Sequence, residues 1–403
     1  FDIEFHVRHL SLPKPGDWRQ LCIQIARLHA RSLDLTRPLW QCYLIEGLEY
    51  FPDCPDGSFA LYIKMHHSLL EGDFGQRFVD ALHDLQPQPT GADSEEVADA
   101  VVDEPVRSEA GLPPVWEGAQ EVGRSFMQRV KRALPVAREM VGTAWDLGDA
   151  LWRIYRDELP APQIGPSCRF DHPMGPRRVV EATLFSRSDF EVIREVTGAS
   201  INDISVAIVG GGIRRYLAEH QELPSESIVA IMPVAMLPAG LSAEDPVAVT
   251  TLMARVHSDV EDPIDRVRLV RESMSSAREL VDTPLVDPLR MVSVVPPFMT
   301  RLMAHFYLDE RMAAVRPAGT VIANMHGTEN DQYCLGAQLV QRYWLGALSP
   351  AVGLFHTVSS LNGKVSLTVL ADRVSMPDPA FYRECLEDAF VELKRAAFVA
   401  RKR

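Results

Sequence analysis

The stretch Lys64-Met65-His66-His67-Ser68-Leu69-Leu70-Glu71-Gly72 (KMHHSLLEG) sets two adjacent histidines and a carboxylate between an apolar strand and a glycine turn. Upstream, Phe59, Leu61, Ile63 and Met65 alternate with Ala60, Tyr62 and Lys64, a period of two that predicts a β-strand with one apolar face. Continued past the strand end, the alternation puts His67 on the side of Ile63 and Met65, and His66 on the side of Lys64. Desolvation disfavours imidazolium, so a histidine on the dry side stays neutral near pH 7 and suits general-base work. Gly72 and Gly75 let the chain turn away and leave room beside the ring. A histidine pair at a strand end also serves structure alone, so the choice rests on the rest of the chain.

Around this stretch, helical and strand patterns are mixed. Leu21, Ile25 and Leu28 recur at helical spacing behind a capping Asp17, predicting a helix over 17–33. A second helix is expected from Gly75 to Leu85. The acidic, Pro- and Gly-containing run PQPTGADSEEVADAVVDEPV then reads as a linker. Helical periodicity returns between Val115 and Glu158, and alternation resumes at Arg178 to Phe185. Further elements are expected at Asp203–Leu217 (helix), Ile228–Pro233 (strand), Pro263–Ala277 (helix), Val321–Met325 and Val365–Leu370 (strands), with a C-terminal helix opening at Pro377-Asp378. The organisation expected is an N-terminal domain over 1–85, a linker and helical connection over 86–165, and a C-terminal domain over 166–403.

The bulk numbers exclude several classes. With 403 residues, 46% of them hydrophobic, the chain can build two ordinary cores. A net charge of −14 and the lack of a basic stripe interleaved with aromatics argue against nucleic acid. A small polyanionic ligand would likewise require a local basic patch. The six cysteines show no CxxC spacing and are expected as free thiols of a reducing compartment. The chain opens at Phe1 without a basic and apolar leader, so no signal peptide is read. The uncharged run Tyr343–Gly363 is broken by Gly346, Pro350 and Gly353 and reads as loop and buried strand rather than a membrane span.

At this point a resemblance becomes specific. HHSLLEG resembles the HHxxxDG motif of the CoA-dependent acyltransferase superfamily, which includes chloramphenicol acetyltransferases and peptide-synthetase condensation domains. Its combination with Arg37-Pro38-Leu39-Trp40 (RPLW), with INDISVAIVGGGIRRYL from Ile201, and with FDIEFHVRH and KPG before them is similar to the bacterial wax ester synthase/diacylglycerol acyltransferase family. IMPVA at Ile231, VIANMHGT and LTVLADR agree, and the likeness runs over most of the chain. Family members carry an N-terminal stretch ahead of the segment that starts here at Phe1. Two departures stand out: Glu71 occupies the family's aspartate position, and His326 replaces a proline.

The resemblance implies a mixed α/β fold of two chloramphenicol-acetyltransferase-like domains with a tunnel between them. It implies transfer of a long-chain acyl group from acyl-CoA to a fatty alcohol or diacylglycerol, with His67 as general base, His66 and Asn202 beside it, and no cofactor or metal. Glu71, Gly72 and Asp203 would organise the loop, with Arg8 or Arg373 as partner of Glu71. Pro38, Leu39, Trp40, Thr357 and Ser359 would line the substrate channel. Read from the residues alone, Asn202 and Asp203 are a cap and a first-turn carboxylate, and Trp40 is an ordinary core tryptophan. The triple glycine Gly210-Gly211-Gly212 reads either as close helix packing or as backbone approach to substrate. The expected location is the cytoplasm, with the inner face of the cell membrane or lipid inclusions as surfaces it would visit. The apolar segment Leu289–Leu308 reads as a contact with such a surface or as a buried helix pair broken at Pro296-Pro297. Two rival classes are a catalytically silent lipid-binding protein of the same fold, and a metal-dependent hydrolase with zinc on His66, His67 and Glu71, which strand geometry disfavours because adjacent side chains point apart.

Overall fold

The computed structural model describes residues 2–51, 53–66, 69, 81–87, 149, 152–156, 158–160, 163–236, 248–280, 318–325, 327–349 and 352–401. A short helix α1 (Ile3–His6) leads into β1 (Val7–Ser11), α2 (Trp18–Ala30), β2 (Trp40–Glu46) and β3 (Ala60–Met65). The strands form a sheet in the order β1-β2-β3, parallel between β1 and β2 and antiparallel between β2 and β3. Asp17 starts α2 as its sequence predicts. Its carboxylate accepts from the Gln20 N–H at 2.9 Å, and the Gln20 side chain accepts in return from the Asp17 N–H, closing a capping box.

A second, six-stranded sheet is built from β4 (Arg178–Ser186), β5 (Val229–Met236), β6 (Ala248–Arg255), β7 (Thr320–Asn324), β10 (Leu354–Leu361) and β11 (Lys364–Asp372). Its order is β4-β11-β10-β7-β5-β6, and β8 (Tyr333–Cys334) and β9 (Ala337–Gln338) form a separate small hairpin. The inner trio β10-β7-β5 is parallel and the outer pairings are antiparallel. Helices α3 (Arg187–Thr197), α4 (Ile201–Glu219), α5 (Pro263–Glu279) and α6 (Pro379–Arg401) bury their apolar faces with Leu354, Val358, Leu367 and Val369 in the main core. The opposite sheet face, at Val180, Leu370 and Phe355, meets Cys22 and Ala26 of α2. Patterning in the sequence does not announce β1, β2, α3 or β6.

One expectation is overturned. The buried side of β3 is the even-numbered one: Tyr62 is 8% exposed, whereas Phe59 and Leu61 stand 43% and 39% exposed. The cause is α2. Tyr62 Oη meets His29 Nδ1 at 2.9 Å, and the Lys64 ammonium donates to the carbonyls of Leu28, His29 and Arg31 at the C-terminal end of α2. Phenol and lysine stem pack as apolar bodies with polar tips, a use that an apolar/polar alternation misreads. Ala60 and Tyr62 thus face the core, Ile63 and Met65 are half-buried on the other face, and His67 lies outside the described residues. The connection over 86–165 and the helix expected over Gly75–Leu85 lie for the most part outside the described residues, and Leu289–Leu308 and His326 lie wholly outside them.

The glycine triplet resolves as packing. A Cβ on Gly210 would fall onto the Val256 carbonyl, one on Gly211 would crowd Arg266 and Ala389, and one on Gly212 would meet Leu386. These contacts let α4 lie directly against α5, α6 and the backbone at Val256, just past β6. His29 forms the other close joint. Its ring meets the Gly346 carbonyl at 2.9 Å through Nε2, which must carry the proton, leaving Nδ1 to accept from Tyr62 Oη. Burial first, then the nearby Lys64 charge, lowers its pKa to about 4.

Two outcomes follow from these joints. Gly210→Ala gains about 1 kcal/mol of helix propensity but collides with backbone that cannot rotate away, so a net loss of about 2–4 kcal/mol is expected in urea denaturation; a stabilised variant would refute the packing argument. For His29, the unfolded imidazole titrates near 6.5 and the native one at about 4. Its contribution is complete above pH 6.5 and falls by up to about 3 kcal/mol as pH drops toward 4. His29→Gln should therefore flatten the decline of the urea midpoint between pH 7 and pH 4, and parallel curves for variant and wild type would exclude His29 as the source.

Candidate active site

Pairing of β2 with β3 brings two separate sequence motifs together. Trp40 lies opposite Met65, Gln41 opposite Lys64, and the His66 N–H donates to the Leu39 carbonyl at 2.9 Å. Leu39-Trp40 and Lys64-Met65-His66 are thus one local structure. Pro38 is exposed, Leu39 and Trp40 are half-buried, and the His66 side chain is exposed. The Trp40 ring lies tilted by 33° against buried His6 with centroids 4.7 Å apart, and His6 Nδ1 donates to the Trp40 carbonyl at 2.7 Å. His6 was not singled out from sequence; its position between apolar residues of FDIEFHVRH was the available signal. His67, Glu71 and Gly72 lie outside the described residues. Of the two arginines considered for Glu71, Arg8 donates to the Phe5 carbonyl and lies over the Phe5 and Tyr43 rings, while the Arg373 side chain is exposed. Among the described residues no group of three or more His, Cys, Asp or Glu side chains is gathered as a metal site, and the zinc reading depends on His67 and Glu71, which lie outside them.

The start of α4 is organised by Ser200 rather than by Asn202. Ser200 Oγ accepts from the Asp203 N–H at 3.1 Å, and Asp203 Oδ2 accepts from the Ser200 N–H at 2.9 Å and from its hydroxyl at 2.7 Å. This reciprocal box corrects the expected helix start at Asp203 to Ile201 and assigns the cap to Ser200. Asp203 is 5% exposed, and its second oxygen, Oδ1, has no hydrogen-bond partner. Asn202, half-buried in the first turn, is placed by this cap.

Thr357 and Ser359 occupy one face of β10, and the register places Thr368 and Ser366 of β11 directly opposite them. The result is a block of four hydroxyls, none more than 5% exposed, on the sheet face turned away from α4 and α6. The Thr357 hydroxyl donates to the Trp344 carbonyl and the Ser366 hydroxyl to the Ser359 carbonyl. The hydroxyls of Ser359 and Thr368 have no partner. A buried polar group without a partner costs about 1–3 kcal/mol. Ser366 and Thr368 were missed, although the alternation of KVSLTVLAD already set them on the face opposite Val365, Leu367 and Val369.

Residues 1–205 match the family model of the wax ester synthase/diacylglycerol acyltransferase catalytic domain, and residues 248–394 match that of the WS/DGAT C-terminal domain. The chain belongs to the wax ester synthase/diacylglycerol acyltransferase family. A putative diacylglycerol O-acyltransferase of Mycobacterium tuberculosis strain H37Rv is 29% identical, covering 94% of this chain and 78% of the relative. A probable diacylglycerol O-acyltransferase of strain CDC 1551 is 27% identical over 98% and 82%. The wax ester synthase/diacylglycerol acyltransferase from Marinobacter aquaeolei VT8 shares the fold, with a TM-score of 0.66 and 23% identity over 98% of this chain and 81% of that one.

The chain is thus an O-acyltransferase of this family, with an acyl donor and an acceptor as its partners, and its fold class is the mixed α/β, chloramphenicol-acetyltransferase-like one that the motifs imply. Among the described residues no single helix is long and apolar enough to cross a membrane. In a family member the two unpaired hydroxyls carry an expectation. Thr368→Val removes a buried, unpartnered polar group without changing shape, so melting temperature should hold or rise while turnover falls about tenfold or more, as for lost transition-state donors. Thr183→Val, which removes a hydroxyl bonded to Glu387 at 3.0 Å on the other sheet face, should do the reverse. Lower stability with full turnover in Thr368→Val would make that hydroxyl purely structural.

Proposed function

We propose that the chain moves a long-chain acyl group from acyl-CoA to a fatty alcohol or diacylglycerol, releasing CoA and a wax ester or triacylglycerol. His67 takes the proton from the acceptor hydroxyl as its oxygen attacks the thioester carbonyl. The carbon–sulfur bond breaks and CoA leaves, with no covalent acyl-enzyme and no cofactor. A positioned general base supplies about 10²- to 10⁴-fold. The remainder comes from holding the two substrates together and from donors aimed at the developing oxyanion. Ser359 and Thr368, with buried unpartnered hydroxyls, suit the second task. Asn202 supports the substrate, and Glu71 and Gly72 set the loop on which His67 is carried.

The observation that supports this reading most directly is the hydrogen bond from the His66 N–H to the Leu39 carbonyl. It ties the end of the histidine-bearing strand to the RPLW segment, in a chain whose family is an acyltransferase family. Pro38, Leu39 and Trp40 then belong to the wall along which the acyl chain runs. The reading includes peripheral contact with a lipid surface, where a diacylglycerol or long-chain alcohol resides. The outer side of α6 suits such contact, since exposed Val391, Phe398 and Val399 stand beside Lys394 and Arg395.

Release of CoA from palmitoyl-CoA, measured with hexadecanol and with dioleoylglycerol, tests the reaction. His67→Ala is expected to lower it by at least about 10²-fold with an unchanged circular dichroism spectrum, while His66→Ala loses less. Undiminished turnover in His67→Ala removes His67 from the mechanism. Binding of palmitoyl-CoA without thiol release in the wild type makes the protein a carrier.

A further inference from the structure

A groove of about 1140 Å³ runs between α2 on one side and the start of β4 and of α6 on the other. Along α2 it is lined by Arg19, Arg27 and Arg31, and across from them by Arg177 and Arg373, whose backbones are joined by the Arg373 N–H donating to the Arg177 carbonyl at 3.0 Å. All five arginine side chains are exposed, and among the described residues none of the five has a carboxylate within ion-pair distance.

The groove's carboxylates are otherwise engaged. Asp17 caps α2 through the Gln20 N–H. Glu181 accepts from Trp18 Nε1 at 2.9 Å and faces Arg383 at 3.6 Å. Asp378 accepts from the Tyr216 hydroxyl and faces His220 at 3.4 Å. The groove therefore carries a surplus of uncommitted positive charge in a chain whose net charge is −14. That surplus has the character of a polyanion site, because guanidinium forks match phosphate oxygens and remain charged at every working pH.

The floor of the groove selects among polyanions. It is apolar, made by Cys22, Ala26 and Val180. Val180 pairs with Leu370, which pairs with Phe355; two residues along the same strands, Ala182 pairs with Thr368 and Thr368 with Thr357. At about 3.3 Å per residue along a strand and about 4.8 Å between strands, Thr368 lies roughly 8 Å and Thr357 roughly 12 Å from Val180 on the same sheet face. A ligand that fits both parts has a phosphorylated head and an uncharged arm carrying a reactive group inward.

We propose that this groove seats the diphosphate and the 3′-phosphate of the CoA portion of the acyl donor, with the pantetheine arm running over Cys22, Ala26 and Val180 toward Thr357 and Thr368. The proposal rests on the reading of acyl-CoA as donor. It supplies the local basic patch that the acidic composition demands of any CoA enzyme.

The test is the double variant Arg27→Glu/Arg177→Glu, which changes one exposed arginine on each wall and so leaves packing untouched. Its KM for palmitoyl-CoA should rise about tenfold or more, while kcat and the KM for palmitoyl-pantetheine, which lacks the phosphates, stay within about twofold. Wild-type protein should bind 3′,5′-ADP in calorimetry and the variant should not. Equal effects on both donors, or no effect on either, overturn the proposal. So does a variant with intact palmitoyl-CoA kinetics that has lost sedimentation with phosphatidylglycerol vesicles, since the groove would then face a membrane. Wild-type protein that binds 3′,5′-ADP in this groove but releases no CoA would support the nucleotide site and reject the transfer reaction, so the two readings fail separately.

Discussion

One helix holds the two sheets in register. α2 places Leu21 and Leu28 in the cluster with Tyr43, Ile45 and Tyr62, and places Cys22 and Ala26 against Val180 and Leu370 of the six-stranded sheet. Small side chains at 22 and 26, four residues apart on one face, let the helix lie close to the edge strand β4. His29 then joins both sides through a single neutral ring, accepting from Tyr62 and donating to Gly346. A longer side chain at 22 or 26 would displace the sheet face that carries Thr357 and Thr368 from β3, at whose end His66 lies. The contact surface between the halves is therefore a condition for any chemistry that uses both.

How much of this was legible from sequence follows from the range of each interaction. Asp17 and Asp262 cap helices through residues two or three positions ahead, so those starts were readable locally. Ser200 was not recognised because Asn202 and Asp203 are also plausible first-turn residues, and only the reciprocal bonds between Ser200 and Asp203 decide among them. β3 was placed correctly but faced wrongly, since Tyr62 and Lys64 bury their stems against α2 while Leu61 faces outward. β1 has too little alternation for a strand signal, and it exists because β2 pairs with it in parallel. The motifs RPLW and KMHH were each visible, whereas their contact is a product of strand register.

The hydroxyl block shows a related limit. Thr357 and Ser359 could be singled out by resemblance, but their equal partners Ser366 and Thr368 become evident only once β10 and β11 are paired. The same pairing shows why the block is costly. Each strand interior could hold valine there, as it does at 358, 365 and 369 on the opposite face, and two of the four hydroxyls gain no bond in return. Such unsatisfied groups lower stability, a cost that proteins carry chiefly at functional sites.

Charge completes the picture, because the net value and the local value act over different distances. At physiological ionic strength the field of an exposed charge is screened within about 8 Å, so a total of −14 governs solubility and long-range repulsion rather than what happens inside a groove. Within the groove the nearest charges are guanidiniums whose possible partners are occupied by a cap, a tryptophan, a tyrosine and a histidine. An anion that enters meets attraction over its last few ångströms, against low-dielectric walls that strengthen it. Acidic composition and anion binding are therefore compatible in one chain, provided the cations are gathered along one groove and the carboxylates beside them are already bonded.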